Sequence, residues 1–593
     1  MSAFFPPVSA AFRDFTNRHA IGLSILSALL LCSVAADAQE ADFVFRNGSV
    51  YTVTTEKPWA EAVAVSHGEI IYVGSDSEVR RHVGRRTQVI DLNHGMLLPG
   101  FIDSHTHLHG AEALLDVPLT LRGRPPQEVL ASVRRYVEGH PGQKLVQGRG
   151  FIVESFLPDG PDKKMLDPII PDRPAVFTSV DAHFMWVNSR ALELAGIDTN
   201  TPDPEPGVSW FQRYPGSREP TGYVIEGAAM NMVRQALEMK GYAFESRERY
   251  LEGLKLGLPM LAAAGITTVF DAGAPEAIAY PALHELESQG QLPVRVMGSL
   301  FWRADDGDPI AHFRALQRQY HSDLVAARMI KVALDGSDNN HTAYMLDPYA
   351  DDPSTHGTRL YDDAQFSDIV HRADAAKIDL HVHIVGDAAI RQALDAFAAV
   401  AAENDARDRR NTLVHVNFVH PDDIVRFRQI GVIWSSTPSW SMMTPRNVTI
   451  EHAMGGARFA QRIHRFQTPV DKGVMMNFGS DFATLQPGSV YKPLDHIEIG
   501  RTRQALGDPN FPIQPDVYER GKIADLIASY TINGAYMLRM EDKIGSIAVG
   551  KRADLVVLGQ NLFDVSPYAI HSVPVMLTMM DGKVTHRAEA AAR

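Results

Sequence analysis

Met96-Leu97-Leu98-Pro99-Gly100-Phe101-Ile102-Asp103-Ser104-His105-Thr106-His107 is the stretch on which the reading of this chain turns. Its apolar opening reads as a barrel strand, and the polar cluster that ends it carries two histidines at i and i+2. Side chains at that spacing on a strand point to one face, so His105 and His107 can grip one ion together. A (β/α)8 barrel collects its reactive groups at the C-terminal ends of its strands, where this cluster would fall. The pair alone is weak evidence, because 24 histidines in 593 residues produce about one such pair by chance.

Outward from this stretch, the middle of the chain alternates strands and amphipathic helices, as a parallel barrel does. Candidate strands fall at 176–180, 267–270, 294–299, 329–334, 380–384, 412–416, 432–435 and 474–478, with amphipathic stretches at 247–264 and 388–402 between them. Both ends are strand-rich. Asp42-Phe43-Val44-Phe45 and Ile70-Ile71-Tyr72-Val73 stand near the start, and Asp554-Leu555-Val556-Val557-Leu558 and Val575-Met576-Leu577-Thr578-Met579-Met580 near the close. The expected architecture is α/β, a (β/α)8 TIM-type barrel over 99–540 with a small β-sandwich built from 39–98 and 541–593. Residues 201–222 and 500–520 read as surface loops.

The formal net charge of -14 argues against a nucleic-acid partner, which needs a basic face. Arg13, Arg18 and His19 precede an apolar run over 21–34, and Ala36-Asp37-Ala38 offers a small-x-small cleavage site. The run is short for a bilayer span. The expectation is a signal peptide over 1–38, cleaved near Ala38, and a periplasmic or secreted protein without a stable membrane anchor. The single cysteine, Cys32, lies inside that segment. Cleavage there would leave no disulfide, no thiolate ligand and no cysteine nucleophile.

Four further strand ends carry polar chemistry. In Met329-Ile330-Lys331-Val332-Ala333-Leu334 a lysine interrupts a buried strand, which is costly unless it is neutralised or paired. It is either a buried ion pair or a neutral amine that has captured carbon dioxide, whose carbamate oxygens could bridge two cations. Leu380-His381-Val382-His383-Ile384 puts His383 nearer the C-terminal end and leaves His381 as barrel core. Val414-His415-Val416 ends another strand, and Phe478-Gly479-Ser480-Asp481 places an aspartate just past one. Singly each has a bland alternative, such as Asp481 capping a helix. Together they are a ligand set for one or two divalent metals, which at about 3.5–4 Å can share and acidify one water.

With these residues in place the chain resembles the amidohydrolase superfamily, specifically the amidohydrolase family 3 branch that includes N-substituted formamide deformylase-like proteins. Pro99 to His107 is similar to the family's opening signature, and Ala182-His183-Phe184-Met185-Trp186-Val187-Asn188 to its substrate-pocket segment. Gly222-Tyr223-Val224-Ile225-Glu226, Gly265-Ile266-Thr267-Thr268-Val269-Phe270-Asp271, Lys331 with Asp335-Gly336, His383-Ile384-Val385-Gly386-Asp387, His415 and Gly479-Ser480-Asp481 follow in the family's order. Gly545 to Leu555 resembles its return to the sandwich.

The resemblance implies that His105 and His107 hold the more buried metal with Asp481, that His383 and His415 hold the other, and that carbamylated Lys331 bridges them. Zinc is the expected ion. It also implies hydrolysis of an amide-type carbon–nitrogen bond, non-peptide or N-acyl/N-formyl, in a small-molecule substrate by metal-activated hydroxide. Asp481 would move the proton, and His183 would help polarise the carbonyl. Asp103, His109, Glu226 and Asp271 are candidates to support the ligands from behind. Two departures stand out: Val414 occupies a position where the branch often has glutamate, and Ser337-Asp338-Asn339-Asn340-His341 matches no family pattern. A one-metal deaminase on the same barrel, a secreted binding protein with a degenerate site, and homodimerisation all stay open at this point.

Overall fold

The computed structural model describes residues 39–589 apart from 119–124, 157, 180–181, 245, 274, 304–306, 483–484 and 486–488. The expected signal peptide, with Cys32, therefore lies outside the described residues. Eight strands form the central sheet: β1 (Phe101–Thr106), β2 (Ile266–Asp271), β3 (Arg295–Phe301), β4 (Val325–Ala333), β5 (Leu380–Ile384), β6 (Thr412–His415), β7 (Ile433–Ser436) and β8 (Met476–Phe478). They pair in chain order and every pair is parallel. The chain just past β8 returns to β1, where the Asp481 N–H donates to the His105 carbonyl at 2.8 Å. The Ser480 N–H donates to the Asp103 carboxylate at 2.9 Å. The sheet is thereby drawn round into a nearly closed barrel.

The strands are buried on both faces because helices cover the outside, as parallel sheets require. Arg247–Ala263, Glu276–Ser288, Pro309–Gln319, Asp363–Ala375 and Asp387–Glu403 run between successive strands. Their starts are set by local chemistry. The Ser246 side chain accepts the Arg249 N–H, and Asp362 with Gln365 forms a reciprocal capping box.

The sandwich combines both chain ends. Leu555–Leu558 and Val575–Met580 join Met96–Pro99 and Ser49–Tyr51 in a six-stranded sheet. A second sheet carries Phe43–Arg46, Ala62–Ser66, Glu69–Gly74 and Gln88–Asp91. Phe45, Val63 and Leu97 share one core with Leu555, Leu577 and Met579.

Several expectations need correction. The apolar run over 96–102 is two strands, not one: Met96–Pro99 belongs to the sandwich and β1 starts at Phe101. Gly100 makes the corner, where a Cβ would fall 2.3 Å from the Thr267 side chain. The strand expected at 176–180 is not in the barrel. Ala175–Ser179 lies in a separate six-stranded sheet inserted between β1 and β2, beside Val146–Phe151 and Phe184–Val187. It is buried throughout, and a short, wholly buried run carries no periodicity to tell one buried sheet from another.

The 201–222 loop contains the strand Trp210–Arg213, which pairs antiparallel with Pro220–Ile225. The 500–520 segment is pinned rather than free on the surface. The fully buried Arg503 guanidinium donates to the carbonyls of His464, Gln514 and Pro515. Among the described residues no helix is long and apolar enough to cross a membrane.

Candidate metal centre

The barrel brings the six expected ligand positions to one end. His105 is the penultimate interior position of β1, and His107 lies just past that strand. Lys331 on β4 stands opposite His381 on β5. His383 pairs with Val414 and Ile384 with His415 across β5 and β6. Asp481 follows β8.

Asp481 is the hub. Its Oδ1 lies 3.1 Å from Nε2 of both His105 and His107, and its Oδ2 lies 3.8 Å from His415 Nδ1. Among the described residues this trio of His105, His107 and Asp481 is the group tight enough to hold a metal ion unaided. His415 adds its ring at 5.0 Å from that of His105 and 4.5 Å from that of His383. The His383 Nε2–H donates to the Gly336 carbonyl at 3.2 Å, which leaves Nδ1 as its lone pair. Both His415, at φ +78°, and Asp481, at φ +49°, sit in the left-handed backbone region. That region is disfavoured for residues with a Cβ and recurs where a site dictates the geometry.

These atoms fit a cation. Among the described residues His105 Nε2, His415 Nδ1 and Lys331 Nζ are buried without a hydrogen-bond partner. His105 Nε2 and Asp481 Oδ1 lie 3.1 Å apart without hydrogen-bond geometry, an approach that an ion held by both would account for. A tetrahedral ion with bonds of about 2.0–2.1 Å holds its ligand atoms about 3.3 Å apart. The observed 3.1 Å spacings are close to that. Imidazole and carboxylate donors suit zinc and similar divalent ions.

Electrostatics prepare the donors. Burial pushes His105 and His415 well below the ordinary histidine range, and the neighbouring cationic groups push the same way. Burial, with Lys331, takes His383 down to about 3. All three are thus neutral with a lone pair to offer. Burial would raise Asp481, but His415, His107 and Lys331 override it and hold the carboxyl down to about 2. Burial lowers the Lys331 amine to about 7 against the opposing pull of Asp481.

The supporting residues sort by what they touch. Asp103 accepts the N–H groups of His105 and Ser480 and so ties the two ligand-bearing strand ends together. Asp271 accepts the Leu108 N–H at 3.1 Å, next to His107, and the Tyr250 hydroxyl. The His109 ring packs 5.5 Å from that of His107. Glu226 reaches none of the ligands. It takes the His183 Nδ1–H at 3.1 Å and the Asn340 amide, linking the inserted sheet to the loop after β4. His183 lies near enough to His383 to help hold its pKa down.

Sequence reading missed three residues. The carboxylate of Asp335 accepts the N–H groups of Tyr344, Val385 and Gly386, fixing the turn that follows His383. Trp440 stacks on His415 at 5.2 Å with the rings 15° from parallel, and the Arg446 guanidinium, paired with Asp338, lies 5.5 Å from the Trp440 ring centre. His381, read as plain core, is buried as expected but contacts His105 directly through its ring nitrogen. The Asp335-Gly336 pair after a strand was a legible sign; the partners of Trp440 and His381 leave none in the local sequence.

Comparison with known proteins adds an independent line. A family model described as the amidohydrolase family (Amidohydro_3) matches residues 88–586. Protein LONG AFTER FAR-RED 3 of Arabidopsis thaliana is 27% identical over 551 residues, covering 92% of this chain and 91% of that protein. N-substituted formamide deformylase of Arthrobacter pascens is 28% identical over 569 residues, covering 92% of this chain and 98% of that protein. Among solved structures, an uncharacterized metal-dependent hydrolase from Pyrococcus horikoshii shares the fold with a TM-score of 0.67 at 22% identity. That match covers 88% of this chain and 99% of the other.

Proposed function

We propose that this chain, which belongs to the amidohydrolase family, is a metal-dependent hydrolase that cleaves an amide-type carbon–nitrogen bond, N-formyl or N-acyl, in a small molecule. Export to the periplasm or beyond is part of the reading and rests on the N-terminal sequence alone. The observation that carries the reading is the convergence of His105 and His107 on one oxygen of Asp481, each at 3.1 Å, with His415 and the unpaired Lys331 amine beside them. The relative named N-substituted formamide deformylase supports the bond type.

His105, His107 and Asp481 would hold one ion, His383 and His415 a second. A bound divalent ion supplies polarisation of the scissile carbonyl and a water acidic enough to attack near neutral pH. Asp481, ionised throughout the neutral range, takes a proton from the attacking water and delivers it to the departing nitrogen. His183, as the imidazolium held through Nδ1–H by Glu226, would donate its Nε2–H to the carbonyl oxygen as charge builds there. Lys331, as a neutral amine, could add carbon dioxide with the loss of one proton, and the carbamate would offer oxygens to help hold the ions.

Purified, metal-loaded protein assayed against N-formyl, N-acyl, cyclic amide and ester compounds tests the assignment. Turnover of an amide class is expected, and Asp481→Ala is expected to lower it by about 10²-fold or more while the protein stays folded. Near-normal activity in that variant would remove Asp481 from proton transfer. A second reading, a one-metal deaminase, is favoured by the tightness of the single His105–His107–Asp481 trio. Ammonia release with one ion per chain would select it.

A further inference from the structure

His105 Nδ1 and His381 Nε2 lie 2.7 Å apart, with the two rings nearly parallel at 12°. Both side chains are fully buried. His381 Nδ1 has no hydrogen-bond partner among the described residues, and its ring packs 4.5 Å from Phe270 on β2. We propose that His381 is a positioning residue for the metal centre: it accepts the Nδ1–H of His105 and thereby fixes Nε2 of His105 as the ligand atom. This rests on the metal-centre reading above and adds a residue to it.

A neutral imidazole carries one N–H and one lone pair. For His105 to offer its lone pair at Nε2, toward Asp481, the proton must sit on Nδ1 and needs a buried acceptor. Ligating histidines usually donate that proton to a carboxylate, a backbone carbonyl or water. Here the atom within reach is another imidazole nitrogen. His381 can accept only in the form protonated on Nδ1, so it must be neutral, and a protonated ring would set donor against donor. Among the described residues the other ring nitrogen of His381 has no hydrogen-bond partner, so no competing contact draws the ring from His105. The contacts with Phe270 and His105 hold the ring in place.

The competing explanation is that His381 only fills space, and cobalt(II) binding to the metal-free full-length chain separates the two. Gln can present an acceptor where His381 Nε2 stands, whereas Phe keeps a ring without one. His381→Gln is expected to bind cobalt(II) within about threefold of the unsubstituted protein, and His381→Phe to lose about 10–100-fold with an altered visible spectrum. Equal binding by His381→Phe, or equal losses in both variants, overturns the proposal. Should the Phe variant fail to fold, nitrogen-15 shifts of His105 in the unsubstituted metal-free protein decide. The Nδ1–H form supports the proposal and the Nε2–H form refutes it. A chain that binds no cobalt(II) before any substitution would instead overturn the metal-centre reading, and this inference with it.

Discussion

At Lys331 a single pKa makes a testable claim about assembly. Burial lowers the amine to about 7, so it is protonated below that pH and neutral above it. Only the neutral amine adds to carbon dioxide, so the reactive fraction falls about tenfold for each pH unit below 7. Metal taken up during reconstitution with bicarbonate should decline as pH drops from 8.5 through 7 to 6. Lys331→Ala should bind fewer ions per chain at every pH by elemental analysis; an unchanged stoichiometry excludes the bridge. The six positions expected to hold metal could be named because each lies in or just past the C-terminal half of an apolar strand, so position along the strand and residue type could be read together. His381 was not, since its partner is 276 residues away and only barrel closure reveals the contact. The Ser337 to His341 stretch looked featureless for the same reason. Its Asp338 and Asn340 find their meaning in Arg446, Asn417 and Glu226, each from a different element.

At the level of elements, the meeting of β8 with β1 sets the geometry of the whole centre. A Cβ on Gly479 would fall 2.4 Å from the His105 Cβ and 2.6 Å from its backbone nitrogen. The obstacle is backbone, which cannot swing away as a flexible side chain would. Gly479→Ala should therefore push His105 and Asp481 apart, lower the unfolding midpoint by an amount equivalent to about 1–3 kcal/mol, and cut metal affinity. Gly139→Ala is the control, because a methyl there meets nothing within 4 Å at the end of a helix. Its midpoint should hold or rise. A Gly479→Ala protein with normal midpoint and metal content would mean that the contact does not matter. The barrel order itself was readable from apolar runs spaced by helices. The inserted sheet was not, because Ala175–Ser179 is as uniformly buried as a barrel strand and its pairing partners are set by tertiary contact.

Across the molecule, the sandwich and barrel are fastened by one buried cation. Arg295, the first residue of β3, contacts Asp554 and Asp581 from the returning C-terminal strands, the latter at 2.9 Å. It also donates to Thr268 and to the Asp323 carbonyl. The chain ends that looked like separate strand-rich segments thus act as one support under the barrel, and the composite sandwich was legible from composition while the fastening was not. Burial already lifts Asp581 despite the Arg295 guanidinium beside it. Arg295→Met would leave the buried Asp554 and the partly buried Asp581, which keeps Arg552 at 3.9 Å, without the guanidinium they share, at a cost of about 3–5 kcal/mol. The Asp581 carboxyl, already raised by burial, would then lie further above its unfolded value of about 3.9. Such a penalty is complete at pH values above the raised pKa and shrinks as pH falls toward the unfolded one. The gap in denaturation midpoint between Arg295→Met and the unsubstituted protein should accordingly be wide at pH 8 and narrower at pH 5. Adding Asp581→Asn to Arg295→Met should recover part of the loss at pH 8 and less at pH 5. A gap independent of pH would show that the loss comes from packing around the guanidinium and not from the stranded charges.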